Sequence, residues 1–77
     1  MLVRCKFVCH YKDKASGQVS FSPVYSGSAE NKAFFAATPG GQVNFYCVAE
    51  SAFESFEIGK EYYLDFTMAP DQTSKSV

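Results

Sequence analysis

Residues 2–11, within "MLVRCKFVCHYK", alternate in character along the chain. Val3, Cys5, Phe7, Cys9 and Tyr11 fall on one side of an extended backbone, and Arg4, Lys6, His10 and then Lys12 on the other. Only Val8 interrupts the pattern. Successive side chains of a strand point to opposite faces, so a period of two over this length predicts a strand with one apolar and one cationic face. A strand that must hide one side and wet the other suits antiparallel sheet.

The same period recurs downstream. "KDKASG" is a polar turn in which Gly17 is free to take a positive φ. It leads to "QVSFSPVYS", where Val19, Phe21 and Tyr25 share a side with Pro23, while Ser20 and Ser22 point away. Proline supplies no ladder donor, so this second strand lies at an edge or ends near Pro23. The two runs form a predicted hairpin. Two readings stand for residues 29–37: a short helix capped by Ser28 and stopped by "TPGG", or an irregular turn, on one hand, and an extended segment on the other; adjacent Phe34 and Phe35 suit neither a single helical stripe nor strict alternation. "GQVNFYCV" is a third strand, with Val43, Phe45 and Cys47 on one side and Asn44 and Tyr46 on the other. "AESAFESF" predicts a helix of about two turns whose stripe is Ala49, Ala52, Phe53 and Phe56. Too short to hold itself, it depends on docking its phenylalanines. A turn at Gly59–Lys60 opens the fourth strand, with Tyr62, Leu64, Phe66 and Met68 on one side and Tyr63, Asp65 and Thr67 on the other.

At 77 residues there is room for one domain. The expected boundaries are 1–69 for the domain and 70–77 for a loose tail. Four half-apolar strands in so short a chain must curl or lie against the helices to hide their greasy sides. The expectation is a mainly β fold of order β-β-α-β-α-β: a small, partly open antiparallel barrel, OB-like or SH3-like, with one or two short helices. Its core comes from eight phenylalanines and five tyrosines, without tryptophan.

Cys5, Cys9, His10 and Cys47 are the candidate metal ligands. Structural zinc needs four ligands converging on one point. Cys5 and Cys9 on a strand stand roughly 13 Å apart along the backbone, at ~3.3 Å per residue, and His10 points away from Cys9. The three cysteines instead sit on the apolar sides of their strands, where a free thiol packs as a small hydrophobe. No metal site, cofactor or catalytic residue is predicted. The lone histidine faces away from its nearest thiol. The chain also carries no G-x-S-x-G, phosphate-cradling glycine loop or H-E-x-x-H. Glu50, Glu54 and Glu57 form the wet side of a helix.

That leaves binding. A protein partner is the leading expectation, with Tyr46 and Tyr63 as outward anchors. Separated basic and acidic surfaces would also allow association between copies, a homo-oligomer. The second reading is single-stranded nucleic acid, tracked by the Arg4–Lys6–His10–Lys12 face and stacked on the same tyrosines. An acidic sequence pI of about 5.7 opposes it, because phosphate-binding surfaces depend on positive charge. No apolar run approaches the ~20 residues of a membrane span. The start of the chain lacks the features of a signal peptide, so cytoplasmic residence is expected.

The stretches "VYSGSAENKAFFAATPGG" and "FEIGKEYYLDFT" resemble a group of short tailed-bacteriophage proteins of unassigned function. They share a tyrosine-serine turn, an E-N-K plus aromatic segment, T-P-x-G, and a closing F-x-x-G-K-E-Y-Y-x-D-F strand. The likeness runs from about Val19 to Thr67 and excludes all of the first strand. It implies a viral origin and a bacterial cytoplasm, and brings no activity with it. In that setting the protein partner belongs to a host or viral complex, met by an accessory factor or an inhibitor; a virion-associated structural role is the third reading. Within the likeness, Glu30, Asn31 and Lys32 form the one polar cluster without an evident packing role. Either Asn31 caps or braces its loop, or the trio belongs to a contact surface.

Overall fold

A computed structural model describes residues 3–70. The tail expected over 70–77 lies, but for Pro70, outside the described residues. The elements are β1 (Val3–Asp13), β2 (Gln18–Pro23), α1 (Ala29–Phe34), β3 (Val43–Phe45), α2 (Glu50–Ser55) and β4 (Glu61–Phe66). All four strands belong to one antiparallel sheet in the order β3-β2-β1-β4. The fold is therefore mainly β, as the sequence predicts, and of the readings left open for residues 29–37 the structure takes the short helix capped by Ser28. The sheet is open: β3 and β4 are the two edges, not partners.

The alternation in β1 sets the two faces. Cys5, Phe7 and Cys9 are buried, with Val19 and Phe21 of β2 beside them and Phe53 of α2 against them. Leu64 and Tyr62 stand opposite Cys5 and Phe7 on the β4 side. The cysteines matter here for their size. They leave room above the middle strand for Phe21 and Tyr62 to meet from its two flanks, with centroids 5.8 Å apart and edge to face. Phe21 also meets Phe56 at 5.3 Å and Phe45 at 6.2 Å, both edge to face, the geometry aromatic quadrupoles favour.

The period of two fails at one point. Cys9 pairs with Phe21 but Tyr11 pairs with Ser20, so His10 is an extra residue, a β-bulge. Beyond it the faces exchange. Lys12 stands opposite fully buried Val19, and Tyr11 is exposed. This corrects the expected placement of Lys12 on the cationic side and of Tyr11 on the apolar side. Lys12 Nζ donates to the Phe56 carbonyl at 2.7 Å and lies 4.3 Å from the Phe53 ring centroid. It thereby closes the C-terminal end of α2, where orphan carbonyls favour a cation.

Cys47 is the second correction. β3 stops at Phe45, and Cys47 is exposed with φ 56, not buried in a strand. Its backbone N–H donates to the Ser16 carbonyl and that of Val48 to the Gly17 carbonyl, both at 3.1 Å. The two backbones approach so closely that a Cβ on Gly17 would lie 3.0 Å from the Val48 nitrogen. Gly17 also has φ +70, so glycine is required there twice over.

Candidate functional site

Arg4, Lys6 and Tyr63 lie together on the polar side of the sheet, where β1 meets β4. Arg4 pairs with Asp65 through two hydrogen bonds, of 2.6 and 3.0 Å. Its guanidinium carbon lies 4.4 Å from the Tyr63 ring centroid, and Lys6 Nζ approaches the same ring at 5.5 Å. Lys6 also lies 3.6 Å from a Glu61 carboxylate oxygen and 3.9 Å from one of Glu30. The Tyr63 hydroxyl donates to Glu30 at 3.3 Å. Each cation of this cluster thus faces carboxylates, and both approach the ring of Tyr63, which stays about half exposed.

The sequence-predicted cationic stripe is not assembled. Arg4 and Lys6 are matched by Asp65, Glu61 and Glu30. His10 is exposed on the bulge, and Lys12 is on the opposite face. Lys32 is exposed in the last turn of α1, and Tyr46 is exposed just past β3, away from the Arg4–Tyr63 cluster in the sheet order. Among the described residues no group of three or more His, Cys, Asp or Glu side chains is placed to hold a metal ion. Cys5 and Cys9 are buried while His10 is exposed, and burial pushes the Cys5 thiol pKa up, away from the reactive thiolate.

Asp65 is held below the ordinary carboxylate range by its hydrogen bonds from Arg4. Glu30 is held low first by its own backbone N–H, then by the Ser28 hydroxyl, with Lys6 and Tyr63 adding to it. Folded pKa values below the unfolded ones mean that both groups contribute stability above the normal carboxylate pKa of ~4 and lose it as pH falls through the folded values. The protein is expected to melt at a lower temperature at pH 3 than at pH 7, and Asp65→Asn to show a smaller drop. An equal drop in both proteins, followed by circular dichroism, would remove Asp65 from the account.

Asn31 is a brace. It is 3 % exposed, and its side chain completes the sheet where β2 runs out. Oδ1 accepts from the Lys6 N–H at 2.7 Å, while Nδ2 donates to the carbonyls of Lys6 at 2.8 Å and Val24 at 2.9 Å. Ser28 caps α1 by accepting from the Asn31 N–H at 3.1 Å. Of the E-N-K trio, only Glu30 joins the surface cluster with Lys6 and Tyr63.

The apolar side offers what the sequence did not single out. α2 covers one end of it, through Phe53 and Phe56. Beside Phe56 a cavity of about 210 Å³ is lined mainly by Phe21, Val43, Phe45, Phe56, Tyr62 and Leu64. Phe45 and Phe66 are exposed, Phe34 stacks on Phe66 at 6.3 Å, and Val3 pairs beside Phe66. A signal for this surface existed in the sequence: more large apolar residues than two six-residue helices can roof. No protein-family profile, curated protein or solved structure matches this chain.

Proposed function

We propose that this chain is a non-catalytic binding protein that docks onto a protein of a host or viral complex in a phage-infected bacterium. The observation that carries the reading is the apolar cavity between Phe45 and Leu64, continuous in character with exposed Phe66 and Phe34. Uncovered apolar surface of this kind marks interaction sites in soluble proteins. A cavity lined by aromatic rings on the sheet can take an apolar anchor from a partner, the usual centre of a protein interface.

The phosphate-tracking alternative has less support. The cations of the Arg4–Lys6 cluster are matched by carboxylates, so few counterions would be released on binding a nucleic acid. Labelled single-stranded DNA and RNA are expected to remain unbound even at ~50 mM salt, where counterion release favours binding most. Tight binding there that collapses at higher salt would replace the protein-partner reading with the nucleic-acid one. The partner reading has its own test: capture from host lysate by the wild-type chain, by Phe45→Ser in the cavity lining and by Tyr46→Ser, exposed just past β3 and outside that lining. Loss of one specific captured protein with Phe45→Ser alone is the expected pattern. Equal capture by all three would sink the proposed surface.

A further inference from the structure

The outer edge of β4 is the longest stretch of unpaired sheet among the described residues. Lys6 uses both its N–H and its carbonyl on the β2 side of β1, with Asn31 and Val24. Lys6 and Tyr63 are therefore a non-hydrogen-bonded pair of the β1–β4 ladder, and the N–H and carbonyl of Tyr63 point away from β1. By alternation the same holds for Glu61 and Asp65. Edge strands that must stay single usually carry lysine, proline or a bulge to block pairing. β4, "EYYLDF", has none of these. Its two acids are partly cancelled by Arg4 and Lys6 from the neighbouring strand.

We propose that β4 pairs antiparallel with β4 of a second copy, across a two-fold axis at Leu64, joining two sheets into one of eight strands. The charges select this register. Centred on Leu64, Tyr63 stands opposite Asp65 of the second copy, Tyr62 opposite Phe66, and Glu61 opposite Thr67. No like charges meet, the outward-pointing backbone groups face one another, and apolar residues oppose apolar residues. Centred on Tyr63, Glu61 would oppose Asp65 twice; centred on Asp65, two aspartates would collide. A centre between residues would place outward backbone groups opposite inward ones. Centred on Tyr62, the strands would overlap over only half their length. A formal net charge of −1 leaves little overall repulsion between copies. The pairing is isologous, so it closes at two.

Sedimentation equilibrium of the purified full chain, from low to high micromolar concentration, tests this together with opposite substitutions at Thr67. That residue is exposed just past the strand and lies outside the core. Thr67→Lys is expected to tighten the dimer and Thr67→Glu to loosen it, each by roughly 2- to 30-fold, because the residue meets Glu61 of the other copy twice. Tyr63→Pro removes an outward N–H without touching the β1 ladder and should give a folded monomer by circular dichroism. If that variant does not fold, the Thr67 pair alone decides. A chain monomeric throughout, a dimer indifferent to charge at Thr67, or assemblies larger than two would each overturn the proposal. A monomer that accepts a strand from a different protein at β4 would overturn self-pairing as well.

Discussion

Asn31→Asp is expected to leave the protein largely unfolded at pH 7, although the two side chains have nearly the same shape. One oxygen of the new carboxylate can still accept from the Lys6 N–H. The other would sit where an NH₂ group now donates to the carbonyls of Lys6 and Val24, at 2.8 and 2.9 Å. Two attractive contacts become repulsions between oxygens, at a position only 3 % exposed. Orphaned buried polar groups cost ~1–3 kcal/mol each, and a buried unpaired charge costs more. A chain this size has a total stability of roughly 4–12 kcal/mol at ~0.05–0.15 kcal/mol per residue, so one such site can consume most of it. The pH dependence separates this mechanism from simple misfit. Burial and facing carbonyls raise the folded pKa of the introduced carboxyl above its unfolded value. Its destabilisation is therefore smallest below ~4, where the group is neutral and can donate one bond, and grows as pH rises through the folded pKa. Urea titrations of both proteins at several pH values should show the gap between them narrowing on acidification. A gap constant with pH would mean that the lost donors play no part. Asn31→Ala, which removes all three bonds at once, should destabilise at every pH alike.

The role of Asn31 illustrates what a sequence can and cannot disclose. The alternation in β1 places Cys5, Phe7 and Cys9 inside and Arg4 and Lys6 outside, because sidedness is a local property of extended backbone. The closing strand is legible for the same reason: Tyr62 and Leu64 turn inward, Tyr63 and Asp65 outward. Asn31 is visible as a polar residue in need of a task, but its partner, the backbone of Lys6, is 25 positions away. Backbone groups have no sequence signature. The bulge at His10 is hidden by the same logic, since one extra residue in β1 is defined only against β2. Its consequence is large, because it moves Lys12 from the supposed phosphate-binding face to the end of α2. Matching of the remaining cations is equally non-local: Asp65, 61 positions from Arg4, reads in isolation as one more acidic residue of an acidic C-terminal half. Cys47 departs for a different reason. Alternation continues in the letters past Phe45, while the backbone is drawn out of the strand by the carbonyls of Ser16 and Gly17.

Phe21→Ala should be the most damaging apolar truncation, at about 3–5 kcal/mol, the usual range for a buried phenylalanine. Phe21 is 3 % exposed and meets three other rings edge to face. Two of those rings, Phe56 and Tyr62, also meet each other at 5.4 Å. Removing the shared member leaves a hole that the small thiols of Cys5 and Cys9 cannot fill, and the one six-residue helix packed there, α2, covers only part of the face. Phe45→Ala is the control on the same side of the same cavity. Phe45 is 49 % exposed on an edge strand of three residues, so its loss gives up less burial and should cost about 1–2 kcal/mol, within the range of ordinary substitutions. Chemical denaturation monitored by tyrosine fluorescence measures both. A ranking with Phe21 well above Phe45 supports a core centred above β1. Equal losses would mean that the load is spread along the apolar side, and that Phe45 is committed to stability instead of being free to meet a partner.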